Sequence, residues 1–127
     1  MKSSRKAGLL TDKELPIMKA LWERGPLFVR EILAGYPEPK PHQNTVATLV
    51  KILEEKGHVG HEVVGNSHRY YAVTPRSVVR ERSLMEVIGN FFNNSYKSVV
   101  SALVADEKIS VDELKEIIRI VEERNKD

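Results

Sequence analysis

The segment from Gln43 to Lys56 has the apolar spacing of a helix whose two faces differ in chemistry. Its apolar residues recur at i, i+3, i+4 and i+7, which predicts one buried stripe. They are Val46, Leu49, Val50 and Leu53. The opposite face carries small or uncharged side chains and one cation: Asn44, Thr45, Ala47, Thr48 and Lys51. In a DNA major groove, Thr and Ala methyl groups contact thymine methyls and Asn pairs with adenine. This face fits a base-reading helix, and it also fits a surface helix that is poor in charge.

A basic hairpin follows this helix directly. Residues 58–64 alternate as a strand, Gly65-Asn66-Ser67 has the composition of a turn, and residues 68–73 form a second strand rich in aromatic and β-branched side chains. The turn and the return strand contain no acidic residue. Their polar residues are Asn66, Ser67, His68 and Arg69. A helix-turn-helix followed by such a ribbon predicts a winged helix, in which the second helix reads base edges and the wing lies along phosphates.

The sequence shows no motif of an enzyme or a metal site. It has no cysteine, which excludes disulfides, thiolate zinc sites and cysteine nucleophiles. It also lacks a phosphate-binding Gly-rich loop, a His-Glu-x-x-His pair, a nucleophile elbow and an EF-hand loop. His58, His61 and His68 cluster around the hairpin, but strand alternation places the first two on opposite faces. We therefore interpret all three as phosphate contacts or exposed residues, and we predict no catalytic residue, metal or cofactor.

Charge is distributed unevenly along the 127 residues. Residues 1–76 hold 12 Lys and Arg against 8 Asp and Glu, a net charge of +4, whereas residues 77–127 hold 8 against 10, a net charge of −2. This asymmetry favours a nucleic-acid-binding half joined to a neutral or acidic partner-binding half. The basic N-terminus lacks a following apolar signal region, and no apolar run could span a bilayer. We expect a soluble, cytoplasmic protein that does not insert into membranes.

We call the helix at residues 43–56 the groove helix. The elements that precede it are predicted from helix-capping residues and from residues that end helices. Leu10, Thr11, Glu14 and Leu15 form a capping box with a hydrophobic staple. Pro16 comes late for a first turn, so this first helix is either distorted at its start or begins at Leu15, and Gly25-Pro26 ends it. Its core face consists of Ile17, Met18, Leu21 and Trp22. Residues 27–34 are predicted to form a short extended segment and then a small helix, with Gly35 at the C′ position of that helix. Residues 36–41 are predicted to form a stiff, proline-rich connector. Gly57 is the predicted C-cap of the groove helix.

The residues after the hairpin predict three short amphipathic helices. Thr74-Pro75 starts the first, Asn93-Asn94-Ser95 breaks it from the second, and Ser110 with Glu113 caps the third. Such helices enclose little core alone, which predicts packing against a second copy. The residues expected in this dimer interface are Leu84, Ile88, Phe91, Val99, Val100, Leu103, Leu114, Ile117, Ile118 and Val121. We therefore divide the chain into a flexible basic N-terminus at 1–9, a winged-helix DNA-binding domain at 10–74 and a helical dimerisation domain at 75–127.

Several of these segments resemble the penicillinase and methicillin-resistance repressors of bacteria. The resemblance is carried by residues 10–15 with Ile17-Met18 and Leu21-Trp22, and by residues 44–49 and 53–57 of the groove helix. Its most specific part is Thr-Val-x-Thr-Leu followed by Glu-Glu-Lys-Gly, and looser similarity covers residues 65–71 and 98–110. The resemblance extends over nearly the whole chain, from Leu10 to Glu123.

The resemblance implies a mainly α fold with a small β-wing, built as a winged helix-turn-helix domain plus a C-terminal three-helix dimerisation domain. It also implies repression by a homodimer on palindromic double-stranded DNA with TACA-like half-sites. Asn44, Thr45 and Thr48 would then contact bases, and Lys51 would lie near the DNA backbone. Asn44 and Asn66 stand where the family often has basic residues, so we expect the target sequence and the affinity to differ from those of better-known members.

The resemblance also bears on how repression ends. Copper-responsive relatives carry Cys-x-Cys clusters, which this chain cannot form, because it has no thiol. β-Lactam-responsive relatives are cut at an Asn-Phe bond, whose counterpart here is Ala102-Leu103. We therefore hypothesise relief by proteolysis between residues 95 and 105, by a membrane sensor protease or its downstream protease. Two alternatives stay open: a ligand-sensing winged-helix regulator, and a winged-helix protein-interaction module that does not bind DNA.

Overall fold

The computed structural model describes residues 10–126 and confirms a mainly helical fold with a small antiparallel sheet. The elements in chain order are α1 (Leu15–Arg24), β1 (Leu27–Phe28), α2 (Val29–Ala34), α3 (Gln43–Glu55), β2 (Val59–Val64), β3 (Ser67–Ala72), α4 (Arg76–Phe92), α5 (Tyr96–Ala105) and α6 (Val111–Arg124). The predicted flexible N-terminus at 1–9 lies outside the described residues. The first six elements have the order of a winged helix, with α3 as the predicted groove helix and the β2–β3 hairpin as the wing.

The sheet is three strands wide, and β3 is its central strand. It pairs antiparallel with β1 on one side and with β2 on the other. Val64 lies opposite Ser67, so Gly65 and Asn66 alone form the turn of the wing. The predicted three-residue turn was therefore one residue too long. Gly65 has a φ of +62°, a conformation that a residue with a β-carbon adopts at a cost.

The hydrophobic core of the winged helix draws residues from five of its elements. It consists of Ile17, Met18, Leu21, Leu27, Ile32, Val46, Val50, Leu53 and Val59. The predicted buried stripe of α3 is confirmed, because Val46, Val50 and Leu53 are fully buried and Leu49 is half-buried. Burial of this stripe against α1, α2 and the sheet fixes the rotation of α3 about its own axis, and so determines which of its side chains face solvent.

The helix ends follow the predicted capping chemistry with small shifts. α1 begins at Leu15, and the predicted capping box forms in the turn just before it: Thr11 N donates to Glu14 Oε1 at 3.0 Å, and Glu14 N donates to Thr11 Oγ1 at 3.2 Å. Lys56 is the C-cap of α3, and Gly57 follows it with a φ of +88°, one position later than its predicted place. Gly35 follows α2 with a φ of −84°, so it does not use the left-handed conformation that favours glycine after a helix.

The chain divides into two compact units, of which the first ends at Ser83 and the second begins at Leu84. The border falls inside α4 because the start of this helix is bound to the winged helix. Trp22 Nε1 donates to the carbonyl oxygen of Thr74 at 2.9 Å, and Arg76 Nη2 lies 3.2 Å from Glu23 Oε2. The first unit thus includes the opening turns of α4, which extend past the predicted domain limit at residue 74.

The second unit contains the remainder of α4 together with α5 and α6. The predicted break between α4 and α5 is present, and Ser95 caps α5 by accepting from Ser98 N at 3.1 Å. The predicted capping box of α6 also forms, with Ser110 N donating to Glu113 Oε1 at 2.8 Å and Glu113 N donating to Ser110 Oγ at 3.0 Å. Neither α5 nor α6, both wholly within the described residues, contains a buried residue.

Candidate nucleic-acid interface

The exposed face of α3 is the centre of the candidate interface. The five side chains predicted to face DNA are all exposed: Asn44, Thr45, Ala47, Thr48 and Lys51. The first turn of the helix contains no acidic residue. Its N-cap is His42, whose Nδ1 accepts a hydrogen bond from Asn44 N at 3.1 Å. The amino-terminal end of α3 is thus free of negative side chains and keeps the positive end of the helix dipole available to an anionic partner.

An ion pair joins the far end of α3 to the turn that precedes α1. Lys56 Nζ lies 2.9 Å from both carboxylate oxygens of Glu14, whose side chain is only 3% exposed. Burial alone would raise the pKa of the Glu14 carboxyl, but hydrogen bonds from Thr11 N and Lys56, with the Lys56 charge, outweigh it and hold that pKa below its usual value. The pair therefore holds the groove helix in position. Sequence patterns identified Glu14 only as a cap, because its partner lies 42 residues away.

The wing carries an internal ion pair that the sequence interpretation did not include. Glu62 on β2 lies directly opposite Arg69 on β3. Arg69 Nε donates to Glu62 Oε2 at 2.8 Å, and Arg69 Nη2 is hydrogen-bonded to the same oxygen. Arg69 was predicted as a DNA-backbone contact, and its charge is largely balanced within the wing. The other predicted wing contacts are exposed at or beside the turn, namely Asn66, Ser67 and His68.

The three histidines of the hairpin have three different environments. His58 is 1% exposed and its Nδ1 lies 2.8 Å from Thr74 Oγ1, so the interpretation of this residue as a phosphate contact or an exposed residue is wrong. His61 is half-buried and pairs through Nδ1 with Glu54 Oε2 of α3 at 2.5 Å. Its ring stacks on that of His68, with 4.1 Å between centroids. The base of the wing is thereby connected to α3. In residues 10–126, no group of three His, Asp or Glu side chains is arranged to hold a metal ion.

Two cationic side chains beside α3 were not singled out by the sequence patterns. Lys13, in the turn before α1, lines a shallow cleft together with Asn44, Thr45, Thr48 and Leu49 of α3. Arg30 of α2 lines a second cleft with Gln43 of α3 and with Ser67 and His68 of the wing. Both side chains were absent from the predicted site because neither lies on the groove helix or the hairpin. Their positions next to α3 follow only from the packing of α1 and α2.

The chain was compared with family profiles, with known proteins and with solved structures. The profile of the family described as penicillinase repressor matches residues 10–123. The chain is 25% identical over 125 residues to the penicillinase repressor of Bacillus licheniformis, with 94% of each chain covered. It is 21% identical over 116 residues to the methicillin resistance regulatory protein MecI of Staphylococcus aureus (strain N315), covering 91% of this chain and 94% of that protein. A solved structure of a MarR family protein from Bacillus stearothermophilus is 21% identical, covers 78% of this chain and 71% of its own, and has a TM-score of 0.48.

The family match covers nearly all of the residues that the structure describes. It confirms the resemblance carried by the capping box at residues 10–15 and by the groove helix. No helix within residues 10–126 is long and apolar enough to cross a membrane. The matched family is one of repressors, which confirms the prediction that the protein is not an enzyme. The chain therefore belongs to the penicillinase repressor family, a family of transcriptional repressors.

Proposed function

We propose that this repressor acts as a homodimer that binds a palindromic DNA operator in a sequence-specific manner. The observation that carries the proposal is the exposed face of α3, which is narrow, free of acid in its first turn and turned to solvent by full burial of the opposite face. A helix of this composition fits a major groove, where the amino-terminal residues of a recognition helix meet base edges. Asn44, Thr45, Ala47 and Thr48 are the residues assigned to bases.

The remaining predicted contacts are assigned to the DNA backbone. Lys51 lies one turn beyond Ala47 on the exposed side of α3 and has no ion-pair partner among the described residues. Asn66, Ser67 and His68 lie at the tip of the wing, where side chains follow phosphates in winged-helix proteins. Arg69 shares its charge with Glu62, so we expect it to contribute less to DNA affinity than its residue type alone indicates.

The second unit is proposed to form the dimer. Most residues predicted in the interface are exposed: Leu84, Phe91, Val100, Leu103, Ile117, Ile118 and Val121, with Val99 and Leu114 half-buried. Ile88 differs from them, because it is 5% exposed in the single chain. So many exposed apolar side chains on short helices support an interface, since a monomer would leave them in water. The occupant proposed here is a second copy, whose two winged helices would engage the two half-sites of a palindrome.

Proteolysis in α5 is proposed as the event that relieves repression, in the cytoplasm, by a membrane sensor protease or an enzyme that it activates. Ala102 and Leu103 lie near the carboxyl end of α5, and both are exposed. Their carbonyl oxygens accept the backbone hydrogen bonds that end this helix, from Asp106 N at 3.1 Å and Lys108 N at 2.9 Å. Helix ends open more readily than helix centres, which gives a protease access to this bond. Cleavage there would divide an element of the proposed dimer.

A pair of substitutions on α3 tests the DNA assignment. Thr48→Ala removes a hydroxyl and a methyl group without weakening the helix, so it should cost about 1–3 kcal/mol of binding free energy on the operator and relax base discrimination. Lys51→Ala should instead weaken binding to operator and to unrelated duplexes alike. Binding is measured by fluorescence anisotropy across a salt titration, where DNA binding through phosphates gives a steep dependence. Unchanged operator affinity in Thr48→Ala would refute the groove assignment, and absence of salt dependence would favour a protein-interaction module.

A further inference from the structure

The two clefts beside α3 place one cation on each side of the base-reading face. Lys13 lines a cleft with Asn44, Thr45, Thr48 and Leu49, whereas Arg30 lines the other cleft with Gln43. Successive helix residues are rotated by about 100°, so Gln43 and Thr45 project about 200° apart and mark opposite flanks of α3. The strip between these flanks contains the base-assigned Asn44, Ala47 and Thr48 and the backbone-assigned Lys51, and the base-assigned Thr45 stands at its edge on the Lys13 side. We call Lys13 and Arg30 the flanking cations.

The charges of the flanking cations are not balanced by neighbouring acids. Neither Lys13 nor Arg30 has an ion-pair partner among residues 10–126, in contrast to Arg69 of the wing. The carboxylate of Glu31, next to Arg30 in sequence, accepts a hydrogen bond from Phe28 N at 2.9 Å. Arg30 itself lies over the Phe28 ring, with 4.8 Å from Cζ to the ring centroid. Such stacking restricts the guanidinium without neutralising it, which leaves its charge for a partner.

The dimensions of DNA determine what a cation on each flank would meet. A major groove is about 12 Å wide and is bordered by the phosphates of the two strands, and a helix with its side chains is about 10–12 Å across. A helix inserted in the groove therefore has one row of phosphates close to each flank. We propose, resting on the DNA-binding function above, that Lys13 binds the phosphate backbone of one strand and Arg30 that of the other. The polar residues beside Arg30, Ser67 and His68, extend its contact toward the wing.

This arrangement sets how deeply and at what rotation α3 enters the groove. Phosphate contacts fix the register of a protein on the duplex, while base contacts supply the sequence information. Two contacts on opposite flanks resist rotation of the helix in both directions, which a single contact from Lys51 on the strip cannot do. The flanking cations are therefore positioning residues for Thr45 and Thr48, and they also supply affinity for any duplex.

The test compares Lys13→Ala and Arg30→Ala with wild type in the full-length protein. The probes are a palindromic duplex selected for binding to the wild-type protein and a scrambled duplex of the same length, each titrated by anisotropy over a range of KCl concentrations. Each substitution should weaken binding to both duplexes. It should also lower the slope of log affinity against log salt by roughly 0.9 for every phosphate that the protein no longer neutralises, hence about twice that for a dimer on both half-sites. Lys13→Arg and Arg30→Lys keep the charge and should retain the wild-type slope.

Lys19→Ala is the matched control, because Lys19 is an exposed lysine of α1 that lines neither cleft. Urea midpoints followed by the fluorescence of Trp22, the single tryptophan, show that each variant is folded. The proposal is overturned if Lys13→Ala and Arg30→Ala keep the affinity and slope of Lys19→Ala while Lys51→Ala loses both, a result that leaves the DNA-binding function intact. Wild-type binding without salt dependence would instead reject that function, and the flanking-cation proposal with it.

Discussion

Replacing Lys56 by methionine should destabilise the winged helix by removing the ion pair that joins α3 to the turn before α1. Lys56 makes two 2.9 Å contacts with the carboxylate of Glu14, whose side chain is 3% exposed. After the change this carboxylate retains the hydrogen bond that it accepts from Thr11 N. A hydrogen bond to a charged group contributes roughly 1.5–3 kcal/mol to stability. The Lys56 side chain is 29% exposed, so water screens part of the attraction. We expect the free energy of unfolding at pH 7 to fall by about 1–2 kcal/mol, at or below the lower end of the range for such a hydrogen bond.

The pH dependence of this loss has a defined sign. In the wild type the pKa of Glu14 is lower in the folded chain than in the unfolded chain, because the hydrogen bonds and charge around it outweigh burial. The unfolded state then binds more protons at acidic pH than the folded state does. The contribution of ionised Glu14 to the free energy of unfolding is therefore present above the ordinary carboxyl pKa and is lost as pH falls through the pKa of Glu14 in the folded chain. Without Lys56, burial raises the pKa of Glu14 and is opposed only by Thr11. Because the two unfolded chains share the same Glu14 pKa, the stability gap between the two proteins depends on their folded pKa values, and it should shrink as pH falls through the higher pKa of the variant and then the lower pKa of the wild type.

The assay is urea denaturation followed by Trp22 fluorescence, which reports on the first unit because Trp22 packs against its core and donates to Thr74. Lys51→Met is the matched control: it is the same substitution within α3, whose C-cap is Lys56, at an exposed residue with no ion pair among the described residues. Equal midpoints for the two variants at pH 7 would refute the reasoning. So would a gap between Lys56→Met and wild type that stays constant as pH falls from about 7 to about 3, a range that spans the ordinary glutamate pKa.

Two further predictions concern the second unit and its role. A chain that ends at Ser83 keeps the turns of α4 that are bound to the winged helix, so it should stay folded. It should sediment as a monomer and bind a palindromic duplex far more weakly than the full chain. A truncated chain that is still a dimer and binds with full affinity would contradict the proposed interface. The protein is recovered from cells before and after exposure to a cell-wall antibiotic. We expect it to be intact before exposure and cleaved between residues 95 and 105 once the promoter is derepressed. An intact chain at a derepressed promoter would reject proteolysis and favour a bound effector.

Local patterns predicted the elements well where one periodicity dominated. The apolar spacing of Val46, Val50 and Leu53 was sufficient to place a helix and to assign its buried face, since a helix with such a stripe has only one way to bury it. Caps were similarly readable, because a capping box such as Ser110 with Glu113 involves residues only three positions apart. The same information did not identify Lys13 or Arg30 beside α3, because periodicity defines which face of an element is buried and not which residues of other elements lie beside it.

The wing shows how a small error in one turn hides an interaction. With a three-residue turn at Gly65-Asn66-Ser67, Val64 would pair with His68 and Arg69 would lie opposite Val63. The actual turn contains only Gly65 and Asn66, and the shifted register brings Arg69 opposite Glu62, where the two form an ion pair. Residues directly opposite on a strand pair interact most strongly, so the change of one residue converts Arg69 from a free cation to a paired one. Strand alternation was also the wrong basis for predicting the environment of His58. This residue precedes β2, so the two-residue period of a strand does not determine its burial. It follows that the cationic character of the proposed DNA-binding surface depends less on the wing than the sequence of the wing indicates. It depends more on Lys13 and Arg30, which the turn before α1 and the helix α2 place beside α3.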